Sequence, residues 1–330
     1  MGKLNTNIKT RLFITGANGF IGGHLTAKLS KYRFFEITGL IHKNKIIKNN
    51  NVKYIYGNIL DKNQISNLTK NTDIIIHCAY GNSMNTSLNS RITIEGSKNI
   101  VQAVIKNDIK KLIYISSAGL YNTRYIKVCT ENNDYTRSPT DLYTRDKKEA
   151  ESAVWKMVEN RQIVATIIQP TIVYGPNSKT WAKDLFYRIR NAEFYIPSNA
   201  KGLANFVYID DVVQAVRLTI NNTKESDNEK FIISGKSPIY WKHIYKSFRL
   251  MLNDINYPDK KDQFSFNENL KVMKRKIKAN IFSYIPFINY NFHNNCIYSN
   301  KKAETFLGYI PKIDFETGLQ QTGQWMKKNI

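Results

Sequence analysis

The sequence predicts an α/β protein with a doubly wound parallel sheet and a smaller, mixed C-terminal lobe. Two observations carry the prediction. Through the first 170 residues, short apolar runs of strand length alternate with stretches of helical character, the pattern of a parallel sheet covered by helices on both faces. The first run, residues 11–15, leads straight into a glycine-rich turn, which is how a dinucleotide-binding unit of the Rossmann type begins.

The apolar runs and the periodicity of the chain place the elements. Strands are expected at 11–15, 35–41, 52–56, 73–77, 111–116 and 163–169, and long helices at about 90–106 and 143–159. After residue 170 the pattern becomes irregular and richer in aromatic residues. We therefore expect a dinucleotide-binding domain at 8–170, to which 205–234 return, and a substrate lobe made of 171–204 and 235–330.

The composition argues against several classes of protein. No apolar run reaches the roughly 18 residues of a membrane span, and residues 1–10 lack the apolar stretch of a signal peptide, so we expect a cytoplasmic protein. The three cysteines show no metal-ligand spacing, which predicts free thiols and no metal. The formal charge of +23 suits an anionic partner, but a composition rich in lysine and asparagine also arises without selection for binding. No nucleic-acid-binding motif accompanies the charge.

The glycine-rich turn after the first strand is the first candidate site. Glycines at this point let the backbone approach a pyrophosphate with no Cβ in the way, and the N–H groups that open the following helix point at its negative charge. We expect the cofactor to contact Gly16, Asn18, Gly19, Phe20, Ile21 and Gly22.

Tyr143 and Lys147 are the second candidate site. They are four residues apart, so on a helix they share a face. A free tyrosine has a pKa near 10, which is too high for an efficient base at neutral pH. A neighbouring ammonium group favours the phenolate and lowers that pKa, so the pair suits proton transfer coupled to hydride transfer at a carbonyl or alcohol carbon.

Several blocks of sequence resemble the extended short-chain dehydrogenase/reductase family, in its nucleotide-sugar epimerase/dehydratase group. The spacing of the glycine turn is Gly-x-x-Gly-x-x-Gly, and the other blocks are Gly57–Asp61, His77–Tyr80, Ser116–Tyr121, Gln169–Pro176, Phe206–Val212 and Lys301–Pro311. They occur in the order that the family has. One departure is Gln169, which stands where the family carries arginine.

The resemblance implies roles for further residues. Ser117 is the third catalytic group, which hydrogen-bonds the substrate oxygen beside Tyr143, while Lys147 also binds the nicotinamide ribose. The cofactor is expected to contact Asn58, Ile59, Cys78, Ala79, Tyr80, Tyr143, Lys147 and Pro170. A homodimer formed through the two long helices is also implied.

The function expected from these residues is NAD(P)-dependent hydride transfer at a sugar carbon. Dehydratases of the family carry acidic residues just after the catalytic serine or threonine, whereas this chain has Ala118 and Gly119. A nucleotide-sugar 4-epimerase or 4-keto reductase is therefore favoured, with a nucleotide sugar as the small-molecule substrate. Two alternatives stay open: a reductase of hydrophobic carbonyl compounds, and a catalytically silent binding protein on the same fold.

Two further expectations concern charge. The second strand ends at His42 and Lys43 with no acidic residue, whereas an NAD-selective site usually places a carboxylate there. A cation attracts the 2′-phosphate of NADP, so NADP is slightly favoured over NAD.

Residues 271–290 combine a basic cluster with aromatic residues. We expect a wall of the substrate pocket there, or weak peripheral contact with an anionic membrane surface.

Overall fold

The computed structural model describes residues 9–42, 49–191, 194, 201–254 and 292–329, without the side chains of 252–254. Lys43 and the basic segment 271–290 lie outside the described residues, so the predictions made for them stay predictions. Within the described part of the chain, no helix combines the length and the apolar character that crossing a bilayer requires.

Seven strands form one parallel sheet, which confirms the predicted fold class. Its order is β11-β7-β5-β4-β1-β2-β3, and every pair of neighbours runs parallel. The strands of the described residues are β1 (Thr10–Thr15), β2 (Phe35–Ile41), β3 (Val52–Tyr56), β4 (Ile74–His77), β5 (Lys111–Ile115), β6 (Val128–Cys129), β7 (Ala165–Pro170), β8 (Ile172–Tyr174), β9 (Leu203–Ala204), β10 (Phe206–Tyr208), β11 (Glu229–Ile233), β12 (Ile239–Tyr240) and β13 (Ile297–Tyr298).

Helices cover both faces of this sheet. Those described are α1 (Phe20–Leu29), α2 (Lys62–Leu68), α3 (Thr86–Lys106), α4 (Leu142–Glu159), α5 (Leu185–Arg190), α6 (Ile209–Asn221), α7 (Thr223–Ser226), α8 (Trp241–Asp254), α9 (Lys301–Leu307) and α10 (Phe315–Asn329). The predicted helix at 90–106 begins earlier, because Asn85 caps it by accepting a hydrogen bond from the N–H of Leu88.

The central strands are buried on both faces, and this explains why they read as continuous apolar runs. Side chains that alternate along β1 and β4 enter two different clusters of the core. Ile14 and Ile76 pack with α1 and α6 on one face, and Phe13 and Ile75 pack with α3 and α4 on the other.

Part of the chain after β7 returns to the sheet. β11 adds to the edge at β7, whereas β10 pairs with β8 in a separate two-stranded sheet. Two more short pairs, β12 with β9 and β13 with β6, complete the C-terminal lobe. The boundary between the two domains at residue 170 and the homodimer stay predictions.

Candidate active site

The predicted site residues gather at one edge of the sheet. Parallel strands end on the same side, which is where open α/β sheets bind ligands. Gly16 follows β1, Asn58 follows β3, Cys78 follows β4 and Ser117 follows β5 within two residues. Pro170 is the last residue of β7 and is buried. His42, immediately after β2, is exposed.

The glycine turn is tight enough to exclude side chains at two positions. Gly16 has a φ of +64°, and a Cβ there would lie 3.0 Å from the backbone nitrogen of Ala79. A Cβ on Gly22 would lie 2.2 Å from the carbonyl oxygen of Gly16. Helix α1 begins at Phe20 with no side chain capping it, so its first N–H groups face the turn. Gly16, Gly22 and the start of α1 therefore form a cradle that fits the pyrophosphate of a dinucleotide.

The remaining predicted cofactor residues form the walls around this cradle. The side-chain oxygen of Asn58 accepts a hydrogen bond from the N–H of Leu60 at 3.0 Å, which holds the turn after β3. Ile59 is buried against Gly96 of α3. Cys78 and Ala79 are partly exposed, and 44% of the surface of Tyr80 is exposed. These positions are compatible with the predicted contacts.

A chain of hydrogen bonds that the sequence did not reveal fixes the turn after β4. The hydroxyl oxygen of Thr15 accepts from the N–H groups of Cys78 and Ala79 and lies 2.6 Å from Nδ1 of His77. Nε2 of His77 lies 3.1 Å from Ser97, whose hydroxyl donates to the Thr93 carbonyl. Thr15 therefore donates to Nδ1, and the neutral imidazole carries its proton on Nε2.

Burial of His77 makes the stability of the protein depend on pH. Burial lowers the pKa of His77 to about 3, against about 6.5 in an unfolded chain. Between these values the unfolded state binds a proton that the folded state does not, so the free energy of unfolding falls as the pH falls. We expect His77 to remove about 1 kcal/mol of stability between pH 7.5 and 5.5.

Urea unfolding at these two pH values measures the effect. His77→Asn cannot titrate and should lose this part of the pH dependence, whatever its stability at pH 7.5. Equal pH dependence in the two proteins would show that His77 is not the group responsible.

Tyr143 and Ser117 face each other across the site. Asp141 caps α4 by accepting from the N–H of Thr144 at 2.8 Å, and this places Tyr143 in the first turn of the helix. The Ser117 hydroxyl accepts from the N–H of Gly119 at 3.1 Å. Burial raises the pKa of Tyr143 to about 12, and the neighbouring Ser117 hydroxyl opposes that rise, so the pKa is not lowered as the sequence led us to expect. Tyr143 nevertheless keeps 48% of its surface exposed, so a substrate has access to it.

Lys147 lies one turn after Tyr143 and is buried. Its ammonium donates to the carbonyl of Ile115 at 2.8 Å and lies 5.7 Å and 5.2 Å from the ring centres of Tyr80 and Tyr114. Burial lowers the pKa of Lys147 to about 8, and the interactions with Cys78 and Glu151 oppose that shift. The hydrogen bond of Lys147 is made to the end of β5, where Ser117 follows.

Two other residues near the site make contacts that the sequence did not reveal. His24 is partly buried, and its Nε2 lies 2.9 Å from the carbonyl of Pro176, so it connects α1 to the loop after β8. Gln169, in place of the expected arginine, lies inside a buried network with Tyr121 and Glu151. None of these three contacts has a local sequence signal. His24 and Pro176 are 152 residues apart, and Gln169 is 48 residues from Tyr121 and 18 from Glu151.

The sequence profile of the NAD dependent epimerase/dehydratase family matches residues 12–234. The chain belongs to this family. As the resemblance predicted, it is an NAD-dependent enzyme of the extended short-chain dehydrogenase type. Among the described residues, no group of three or more His, Cys, Asp or Glu side chains is placed to hold a metal ion.

Members of the NAD dependent epimerase/dehydratase family with different substrates resemble the chain. A sterol-4-alpha-carboxylate 3-dehydrogenase (decarboxylating) of Candida albicans is 23% identical over 97% of this chain and 98% of its own. A dTDP-D-glucose 4,6-dehydratase of Dictyostelium discoideum is 26% identical over 97% of this chain and 82% of its own. UDP-glucuronic acid 4-epimerase of Bacillus cereus, solved with UDP-glucuronic acid and NAD, superimposes with a TM-score of 0.76 at 20% identity, covering 97% and 100% of the chains. This last likeness shows the fold alone.

Proposed function

We propose that the protein catalyses reversible hydride transfer at a secondary alcohol carbon of a nucleotide sugar, as a 4-epimerase or a 4-keto reductase. The observation that carries the proposal is the placement of Ser117, Tyr143 and Lys147 together at the carboxyl edge of the sheet, beside the glycine turn. The relative from Dictyostelium discoideum, a dTDP-D-glucose 4,6-dehydratase by name, supports the choice of a nucleotide sugar as the substrate class.

Each of the three side chains has a role that follows from its position. Tyr143 takes the proton of the sugar hydroxyl, or returns it, because the residue is exposed at the site and adjacent to Ser117. Ser117 orients the reacting oxygen. Lys147 supplies a positive charge that favours the phenolate. NAD, when bound, supplies the hydride acceptor, and its pyrophosphate would be held by the cradle of Gly16, Gly22 and the start of α1.

The positions after Ser117 do not carry the acidic side chains that an elimination reaction would use. The two residues after Ser117 are Ala118 and Gly119, and neither side chain moves a proton. Ala118 is also buried in a small apolar cluster with Tyr121, Cys129 and Ile232, so its position faces the protein core. A 4,6-dehydratase is therefore disfavoured, although a dehydratase is among the relatives.

A second candidate is the oxidation or reduction of a hydrophobic alcohol or ketone. It is favoured by the sterol dehydrogenase of Candida albicans, which this chain matches along nearly the whole length of both proteins. The catalytic residues do not separate the two candidates, because the same three side chains serve either substrate. A catalytically silent binding protein is the third candidate.

Turnover of defined substrates tests these candidates. The purified enzyme is incubated with UDP-glucose, UDP-N-acetylglucosamine, UDP-glucuronic acid and a 3-hydroxysteroid, with and without added NAD(H) or NADP(H). Inversion at the sugar C4 without added cofactor supports the epimerase, and reduction of a 4-keto sugar only with reduced cofactor supports the reductase. Turnover of the steroid alone overturns the sugar proposal. Binding without turnover, unchanged in Tyr143→Phe, supports the silent protein.

We also predict that NADP binds at least as well as NAD. The reason is His42, exposed immediately after β2, at a position where a carboxylate would bind the ribose hydroxyls of NAD. Titration of the intrinsic fluorescence with each cofactor gives the two dissociation constants. A tenfold preference for NAD, equal to about 1.4 kcal/mol, would contradict the prediction.

A further inference from the structure

A carboxylate that the reaction does not use is buried behind the active site. Glu151 lies one turn after Lys147 on α4 and is fully buried. Its carboxylate accepts a hydrogen bond from the hydroxyl of Tyr135. It also accepts from Nε2 of Gln169, which lies 3.0 Å from Oε2 of Glu151. Lys230 Nζ lies 3.3 Å from it. Of these three partners only Lys230 is a cation.

Lys230 reaches Glu151 from the neighbouring strand. It lies on β11 opposite Ile167 of β7, and its ammonium also donates to the hydroxyl of Tyr135 at 3.3 Å. The ring centre of Trp155 lies 4.2 Å from Nζ, a distance at which the ring face attracts a cation. Removing one partner of a buried ion pair leaves the other charge unpaired and is strongly destabilising, so Glu151 and Lys230 depend on each other in the core.

The same network reaches the turn that carries Ser117. The hydroxyl of Tyr121 donates to Oε1 of Gln169 at 2.7 Å, and Tyr121 pairs with Tyr135 through a backbone bridge. Tyr121 follows directly on the single helical turn Ala118–Leu120, which Ser117 caps. Glu151 and Gln169 therefore connect α4 to the Ser117 turn.

The charge of Glu151 also acts on Lys147. The rings of Tyr80 and Tyr114 lie 5.7 Å and 5.2 Å from the Lys147 ammonium. Glu151 is buried one helical turn after Lys147 on α4, and Glu151 and Cys78 are the groups whose charges bear on Lys147. Burial favours the neutral amine, and a negative charge one helical turn away favours the ammonium.

We propose that Lys230 and Glu151 form a positioning pair for the catalytic residues: Lys230 holds the Glu151 carboxylate in place, and this carboxylate acts on the Lys147 ammonium one helical turn away and connects α4 to the Ser117 turn. The part of this proposal that concerns catalysis rests on the proposed hydride transfer. The effect on the charge of Lys147 does not, and it is measured without substrate.

Two double variants separate the role of the charge from that of the fold. Glu151→Gln/Lys230→Met removes both charges together, which avoids leaving one buried charge unpaired. Gln169→Arg/Lys230→Met moves the cation to the other side of the carboxylate, because Nε2 of Gln169 already lies 3.0 Å from it. Thermal unfolding shows that each variant is folded.

The readout is the titration of Lys147 in protein labelled with 13C at the lysine ε carbons, followed by NMR. The Lys147 signal is assigned by its loss in Lys147→Arg. In the variant without charges we expect its midpoint to fall by more than about 0.3 units relative to the wild type. In the variant with the moved cation we expect it to stay within about 0.3 units.

An unchanged midpoint in the variant without charges would overturn the proposal, and so would a fall of equal size in the variant with the moved cation. If a substrate is found, the alkaline limb of kcat/KM should move in the same direction as the midpoint. If none is found, the proposed function fails, while the titration still decides the role of Lys230 and Glu151.

Discussion

Tyr143→Phe should lower kcat by about 10²–10⁴-fold, the usual contribution of a general acid or base. The substitution removes one oxygen atom and leaves the ring, which packs edge-on against Tyr80 with the ring centres 6.0 Å apart. The Ser117 hydroxyl would still accept from the N–H of Gly119. The loss should therefore fall on the chemical step, with the dissociation constant of NAD changed by less than about threefold.

Tyr32→Phe is the matched control. Tyr32 lies between α1 and β2, at the amino end of the sheet and away from the glycine turn, and it is partly exposed. It loses the same atom, so its kcat should equal that of the wild type. If Tyr143→Phe kept more than about a tenth of the wild-type kcat on the established substrate, another group would be the acid or base.

Gly22→Ala should weaken NAD binding by at least about 100-fold, equal to about 2.7 kcal/mol. A Cβ at this position would lie 2.2 Å from the carbonyl oxygen and 2.8 Å from the carbonyl carbon of Gly16. Both neighbours are backbone atoms and have no rotamer to change, so α1 has to move away from the turn. Its N-terminal N–H groups would then no longer point at the pyrophosphate. Fluorescence titration with NAD measures the loss.

Gly308→Ala controls for the general cost of replacing a glycine. Gly308 ends α9 with a φ of +67°, and nothing lies within 4 Å of an added Cβ. The strain of a left-handed alanine should lower stability by about 1 kcal/mol and leave NAD binding unchanged. Equal NAD affinity in Gly22→Ala and the wild type would mean that the turn does not hold the cofactor.

The fold, and the position of the site at the ends of the parallel strands, were predictable because the sequence signals for both are local. The apolar runs of β1, β4 and β5 are continuous, as burial on both faces requires. The glycine turn is read within seven residues, and Tyr143 and Lys147 are separated by a single helical turn. Once the sheet is parallel, its topology brings these segments to one edge without further information.

The contacts that support the site were not predictable, because their partners are distant in sequence. Lys230 meets Glu151 only after β11 has paired with β7, and Thr15 meets His77 across 62 residues. The sequence around a glutamate or a histidine does not show whether the folded protein supplies a partner for that side chain. Similarly, the apolar run of β10 predicts a strand but does not say that the partner is β8 rather than the main sheet.

The C-terminal segment has a consequence for the order in which the chain matures during synthesis. The carboxylate of Asp211 accepts from the N–H groups of Lys312 and Ile313 at 2.8 and 3.2 Å. The hydroxyl of Tyr174, at the end of β8, donates to the carbonyl of Phe315 at 3.1 Å. Six of the seven strands of the main sheet are complete by residue 170, whereas the residues that anchor β8 and α6 lie at 312–315 and are synthesised later. Because domains fold as they emerge, the nucleotide-binding half has time to form before β8 and α6 are anchored, and a chain released early would carry the glycine turn without these anchors.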